Sequence, residues 1–247
     1  MFRTGNPALK AETFTSVVRE RGAEAMTIEG TVNKTGLSLL ILIACAALQW
    51  NGVFGPAMFL PLIYLGLGGG FVVALVTVFK QTWAPVTTPI YAALEGLLLG
   101  GISLVFNARY PGIVMNAVGL TLGTLAALLL AYRSGLIRPS ENVKLGIVAA
   151  TGGVAVVYLI SMGLSFFGKT MPYIHDSGPI GIGFSVVVIV LAALNLVLDF
   201  DFIERGAEVG APKYMEWYAA FGLLVTLVWL YLEILRLLAK LQGKGRR

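Results

Sequence analysis

Residues 37–79 read LSLLILIACAALQWNGVFGPAMFLPLIYLGLGGGFVVALVTVF and contain no charged side chain. The uncharged stretch between Lys34 and Lys80 is 45 residues long. A helix needs about 20 apolar residues to cross a bilayer, so this stretch is too long for one crossing and fits two. Trp50-Asn51-Gly52 and Gly55-Pro56 mark a turn within it. The stretch therefore predicts two membrane-spanning helices joined by a short hairpin.

The composition of the whole chain agrees with this prediction. Of the 247 residues, 57% are hydrophobic and 13% are charged, whereas a soluble domain has about 25% charged residues. So much apolar surface must face lipid or other membrane helices. The composition excludes a disordered chain, a secreted disulfide scaffold and a free nucleic-acid binder.

The remaining apolar runs predict an all-α integral membrane protein with seven membrane-spanning helices. The runs are long and continuous, which excludes the ten-residue alternation of a membrane barrel. We predict an N-terminal segment at 1–36 with an extended stretch at 27–32, a membrane domain at 37–240 and a basic tail at 241–247. The predicted spans are residues 37–55, 58–79, 89–106, 112–132, 145–167, 179–199 and 216–238.

Glycine pairs four residues apart recur in three of the predicted spans. Such pairs let two helix backbones approach closely, so we expect them to pack the bundle. The pairs are Gly66/Gly70, Gly96/Gly100 and Gly119/Gly123.

The distribution of basic residues predicts a cytoplasmic N-terminus. Lys and Arg residues number eleven on the N-terminal side of the predicted spans and two on the other side, before the tail is counted. The five basic residues from Arg236 to Arg247 disagree, because seven full crossings place them outside. A last segment that re-enters the membrane would remove the conflict. We predict seven crossings, because the segment is long enough to cross.

Four acids stand in or beside apolar spans and are the candidate functional residues. Glu95 lies inside the third span, Asp199 and Asp201 end the sixth, and Glu216 opens the seventh. A carboxylate in hydrocarbon costs a few kcal/mol or more and is usually paired, protonated or exposed to water. Protonation would break a carboxylate–lysine pair and release a helix end, which suggests a pH gate.

Ordinary structural roles compete with function at several of these acids and at Glu233, which lies near the end of the seventh span. Glu233 stands three residues before Arg236, so we expect an ion pair at the membrane interface. Glu216 could be an acid favoured by the dipole at the start of its own helix. Asp199 and Asp201 could simply mark a helix end.

The residue counts and missing motifs argue against a bound cofactor and against enzymatic activity. Cys45 is the only cysteine and His175 the only histidine, so a histidine-rich zinc site or a bis-histidine haem is excluded. No HExxH motif is present, and the last span carries no internal lysine for a retinal. We therefore expect no enzymatic activity and no bound cofactor, apart from calcium as a transported or bound ion.

Several motifs together resemble the bacterial Bax-inhibitor-like (YccA-type) membrane proteins. The resemblance covers nearly the whole chain. The motifs are RTGNPAL at residues 3–9, MTIEGTVNKT at 26–35, ALEG at 93–96, EWYAAFG at 216–222 and LYLEILR at 230–236.

The resemblance implies a bundle of six helices around the seventh and a pH-sensitive calcium leak in the inner membrane. In such proteins an aspartate at the end of helix six and one in helix seven form a sensor that interacts with a basic residue at the end of helix two. Asp199 and Lys80 match the first aspartate and the basic residue, while Thr226 occupies the second aspartate's place. Asp201, Glu216 or Glu95 could substitute for it. Some relatives bind an ATP-dependent membrane protease, so a non-transporting scaffold or protease modulator is the alternative function.

Overall fold

The protein is described by a computed structural model that covers residues 24–168 and 178–244. In these ranges seven long helices are each long and apolar enough to cross a membrane. The chain is therefore a multi-pass all-α membrane protein, as predicted. The helices are α1 (Ile28–Trp50), α2 (Phe59–Phe79), α3 (Ala84–Arg109), α4 (Ile113–Arg133), α5 (Glu141–Phe166), α6 (Pro179–Glu208) and α7 (Met215–Lys244).

The first helix differs from its prediction at both ends. It begins at Ile28 rather than at residue 37, and the stretch predicted to be extended is helical from Ile28 onward. Thr27 caps the helix, because its side-chain oxygen accepts a hydrogen bond from the backbone N–H of Gly30. The helix ends at Trp50 instead of continuing to residue 55, since the chain turns there.

The last two helices extend beyond the predicted spans. Because α6 continues to Glu208, Asp199 and Asp201 lie within a helix rather than at its end. The apolar run stops near residue 199, but the exposed side chains of Glu204 and Glu208 let the helix continue as a polar extension. Likewise α7 continues to Lys244 instead of ending at residue 238.

One compact unit contains residues 24–109 and 199–225, and α3 packs against both α1 and α2 in it. Two of the predicted glycine pairs make these contacts. A Cβ at Gly66 would lie 2.6 Å from the carbonyl oxygen of Leu94, and a Cβ at Gly100 would overlap the backbone of α1 at Ala46. The prediction is confirmed for Gly66/Gly70 and Gly96/Gly100, where a side chain would force the helices apart.

The second compact unit contains α4, α5, the first part of α6 and the second part of α7. Here the prediction for Gly119/Gly123 is wrong: a Cβ at either residue would meet no described atom within 4 Å. The buried face of α4 is instead formed by Ile113, Ala117 and Thr121, which follow one another at four-residue spacing. The glycine pair lies on the exposed side of the helix.

The last helix is the most buried of the seven and is long enough to cross a membrane. In its most apolar part 67% of the residues are buried, compared with 17–50% in the other helices. At 30 residues it is about 45 Å long. Lys240 near its end donates hydrogen bonds of 2.9 Å to the carbonyl oxygen of Gly181 and to Ser185, at the start of α6. The two helices are therefore antiparallel, which favours a full crossing over re-entry.

Candidate functional site

Glu216 stands at the centre of the most elaborate polar site among the described residues. It lies in the first turn of α7, as predicted, and its side chain is fully buried. Its Oε1 accepts hydrogen bonds of 2.9 Å from both the backbone N–H and the hydroxyl of Thr27. Lys34 Nζ lies 2.8 Å from Oε2, and Lys213 Nζ lies 3.3 Å from Oε1. Glu216 thus receives two cations and two neutral donors.

The start of α1 provides hydrogen-bond donors and a partial positive charge to this carboxylate. The N-terminus of a helix carries a partial positive charge from its unpaired N–H groups, which favours an anion there. Thr27 acts in both directions, since its hydroxyl caps Gly30 and also donates to Glu216. A Cβ at residue 30 would overlap the carboxylate of Glu216. Glycine at this position is therefore a requirement of the close approach, rather than of backbone conformation.

Backbone contacts continue the junction outside the helices. Met26 N–H donates a hydrogen bond of 2.6 Å to the carbonyl oxygen of Ala211, and Ala25 forms an isolated antiparallel bridge with Pro212. The side chain of Met26 is 2% exposed. The residues that precede α1 are thereby fastened to the loop between α6 and α7.

Lys213 lies in that loop, outside the membrane-spanning segments. Its hydrogen bond to Glu216 raises the pKa of its ammonium group, and Glu24, 3.6 Å away, adds to the effect. The same loop contains Tyr214, where burial raises the pKa of the phenol. Lys213 is therefore charged in the neutral range.

Glu95 lies in α3 at the interface with α2. Its carboxylate accepts a hydrogen bond from Tyr91, one turn earlier, and its Oε1 lies 3.1 Å from where a Cβ of Gly70 would stand. The Tyr91 ring meets the ring of Phe221 in α7 edge to face, with the centroids 4.9 Å apart. Glu95 is half-buried and lies inside a membrane-spanning helix. The residue of α2 that it contacts, Gly70, has no side chain.

The acids of α6 have different environments. Asp199 is fully buried, whereas Asp201 is half-buried and forms an ion pair of 3.1 Å with Arg205, one turn later. Lys80 has an exposed side chain, and no ion pair joins it to a described acid. The pairing of Asp199 with Lys80 stays a prediction, while the local partner of Asp201 is Arg205.

Glu233 is more deeply buried than the sequence predicts. Its predicted ion pair with Arg236 is confirmed at 2.8 Å, but Glu233 is only 2% exposed and does not lie at an open interface. Tyr158 donates a hydrogen bond of 2.7 Å to Glu233 Oε1 and accepts one of 3.0 Å from Arg236. Glu233 Oε2 is buried and has no hydrogen-bond partner among the described residues. The sequence signal for the burial of Glu233 was its place in the apolar run LYLEILR. Leu230 and Ile234 of the same run are also buried.

Two lysines that were counted as flanking charges are also buried. Lys144 lies within α5, 1% exposed, and contacts Glu141 at 3.1 Å. Lys240 is 6% exposed and donates to α6, as described above. The conflict between the basic tail and seven crossings weakens accordingly, because Lys240 is buried and Arg236 is paired with Glu233, so neither is a free interfacial charge.

The described residues contain no group of three or more His, Cys, Asp or Glu side chains that could hold a metal ion. His175 lies outside the described residues, as do residues 1–23 of the predicted N-terminal segment and residues 245–247 of the tail. The candidate site is thus a set of separate carboxylates: Glu216 in the junction, Glu95 and Asp199 within their helices, and Glu233 beside Tyr158.

Seven apolar helices, several of which contain acids, define a polytopic integral membrane protein. A family model described as Bax inhibitor 1 like matches residues 6–243. The chain therefore belongs to the Bax inhibitor 1 like family, as the sequence motifs indicated. Neither a curated protein nor a solved structure is significantly similar to it.

Proposed function

We propose that this protein is a pH-modulated cation leak of a bacterial inner membrane, with calcium as the ion and with the N-terminus in the cytoplasm. The observation that carries the proposal is the placement of Glu95 and Asp199 inside membrane-spanning helices. A carboxylate at such a depth costs at least a few kcal/mol, so it is by default the mark of an ion or proton path. Family membership and the resemblance described above support the same function.

Glu95 and Asp199 have separate roles in this proposal. Glu95 offers one carboxylate to a passing cation, and this carboxylate lies against Gly70 of α2, where a larger residue would crowd it. A conducted ion must leave as readily as it enters, which suits a single carboxylate better than a multidentate metal site. Asp199 is the proton-sensitive element, because protonation removes the charge of a fully buried acid.

Calcium-loaded liposomes that contain the purified protein test the proposal. We expect Glu95→Gln to lower the leak at every pH, since it removes the pathway charge and keeps the side-chain shape. Asp199→Asn is expected to abolish the dependence of the leak on pH. Glu208→Gln is the matched control, because Glu208 is an exposed acid at the end of α6. A leak that neither substitution nor pH changes would remove the mechanism.

A non-transporting scaffold or modulator of a membrane-bound ATP-dependent protease is the second candidate. The observation that favours it is the use of Glu216 and Asp201 in ion pairs within the protein. Co-purification with a protease from native membranes tests this function. It should survive Glu95→Gln and Asp199→Asn and be lost when residues 1–23, which precede the Glu216 junction, are removed. Retention of the protease after that truncation would count against the scaffold.

A further inference from the structure

The junction around Glu216 connects parts of the chain that are far apart in sequence. Thr27 and Glu216 are separated by 189 positions, yet they share two hydrogen bonds. The junction fixes the start of the last helix to the start of the first. Both belong to the same compact unit.

A second layer of contacts reinforces the same end of α7. Thr88 in α3 donates a hydrogen bond of 3.1 Å to the carbonyl oxygen of Trp217. Lys34 lies 5.9 Å from the centre of the Trp217 ring, within the range of a cation–π contact. The first turn of α7 is therefore held by α1 and α3 together.

A short chain of contacts leads from this junction to the proposed pathway acid. Phe221 follows Glu216 by five residues, or about 7.5 Å along the helix axis. Phe221 packs edge to face on Tyr91, and Tyr91 donates a hydrogen bond to Glu95. A displacement of the start of α7 would move Phe221 from Tyr91 and free the phenol from its fixed position beside Glu95.

We propose that Glu216, Thr27 and Lys34 form a latch that holds the start of α7 against α1, and that release of this latch opens the cation path at Glu95. The inference rests on the proposed function for its effect on conduction. The latch itself is defined by contacts that do not depend on it. We call these three residues, together with the Met26–Ala211 backbone bond, the Glu216 latch.

Burial of Met26 gives a direct readout of the latch. Met26 is 2% exposed and bonded to Ala211 while the latch is closed, so a cysteine in its place reacts with a water-soluble maleimide only after opening. The reporter is Met26→Cys with Cys45→Ala, which removes the only native thiol. We expect Glu216→Gln to raise the labelling rate about tenfold or more, because the amide has no negative charge to pair with Lys34 and Lys213 and keeps only one acceptor oxygen. Glu208→Gln should leave the rate unchanged.

A reversible lock keeps the test independent of folding defects. The Cα atoms of antiparallel bridge partners are separated by a distance that a disulfide spans, so Ala25→Cys with Pro212→Cys can close the latch covalently. In liposomes of this pair with Glu216→Gln and Cys45→Ala, oxidation should return the calcium leak to the level seen with Glu216 intact. Reduction of the same sample should raise it again several-fold.

The outcomes separate the latch from the proposed function. Faster labelling together with a raised, oxidation-reversible leak supports the inference. Equal labelling rates in Glu216→Gln and its parent overturn it, and so does faster labelling with an unchanged leak. A wild-type protein that passes no calcium refutes the proposed function, while the labelling still decides whether Glu216 holds the junction closed.

Discussion

Gly30→Ala is the sharpest test of how tightly the Glu216 junction is packed. The added methyl group overlaps the carboxylate of Glu216, which is fully buried and must move away from Thr27 and Lys34. Gly36→Ala is the matched control, because it adds the same methyl group to the same helix where no described atom lies within 4 Å.

The expected cost follows from the contacts that are lost. Separating a buried ion pair costs about 3–5 kcal/mol, and the low end applies here because Lys34 is 25% exposed and keeps some contact with water. Alanine returns about 1 kcal/mol through its higher helix propensity. Gly30→Ala should therefore destabilise the protein by about 2 kcal/mol, whereas Gly36→Ala should stabilise it by about 0.5–1 kcal/mol.

The two variants are compared by unfolding in mixed detergent micelles, with helicity followed by circular dichroism. The free energy of unfolding should differ between them by roughly 3 kcal/mol, from the costs above. Equal stabilities, or a more stable Gly30→Ala, would show that the carboxylate can move without cost. The account of Glu216 as a closely packed anchor would then be wrong.

Three further predictions concern stability; the first two use the same unfolding assay and the third uses melting temperatures. Gly100→Ala should lose at least about 1–3 kcal/mol by pressing on the backbone of α1, while Gly123→Ala should not be destabilised; equal losses would contradict the helix contact. Tyr158→Phe should cost about 1.5–3 kcal/mol by removing the bond to the buried Glu233, and an unchanged stability would mean that water replaces it. The raised pKa of Lys213 means that its stabilisation is complete below the ordinary lysine pKa of about 10.4 and is lost as pH rises through the higher folded-state value. The melting temperatures of wild type and Lys213→Met should therefore converge above roughly pH 10.5, and a constant difference would contradict this.

The architecture could be predicted from the sequence because the membrane restricts the choices. An uncharged stretch of 45 residues permits two helices and a turn, and the structure has α1 and α2 with the turn at residues 51–55. Helix ends were predicted less well. Capping by Thr27 and the polar extension of α6 lengthen helices beyond the apolar run, and hydropathy does not register either effect.

The candidate site could be predicted only as a set of residue types. Glu216 was recognised as an acid at the start of α7, but its main partners are in the first helix, 189 and 182 positions away. Glu233 was correctly paired with Arg236, since an i,i+3 contact is local. Its burial was not foreseen, because that depends on Tyr158 from another helix.

The sequence alone was enough to predict that the chain crosses a membrane, the seven membrane-spanning helices of its described part and the acids that are costly there. These properties depend on the free energy of transferring each segment into lipid, which is a sum over neighbouring residues. Which glycines touch a neighbouring helix, and which residues surround each buried carboxylate, became clear from the three-dimensional structure. Gly100 and Gly123 belong to similar motifs, yet a Cβ at Gly100 would overlap α1, whereas a Cβ at Gly123 would meet no described atom within 4 Å. The difference arises because neighbouring helices cover one face of a helix and leave the other exposed. Which face is covered depends on residues that are distant in the chain.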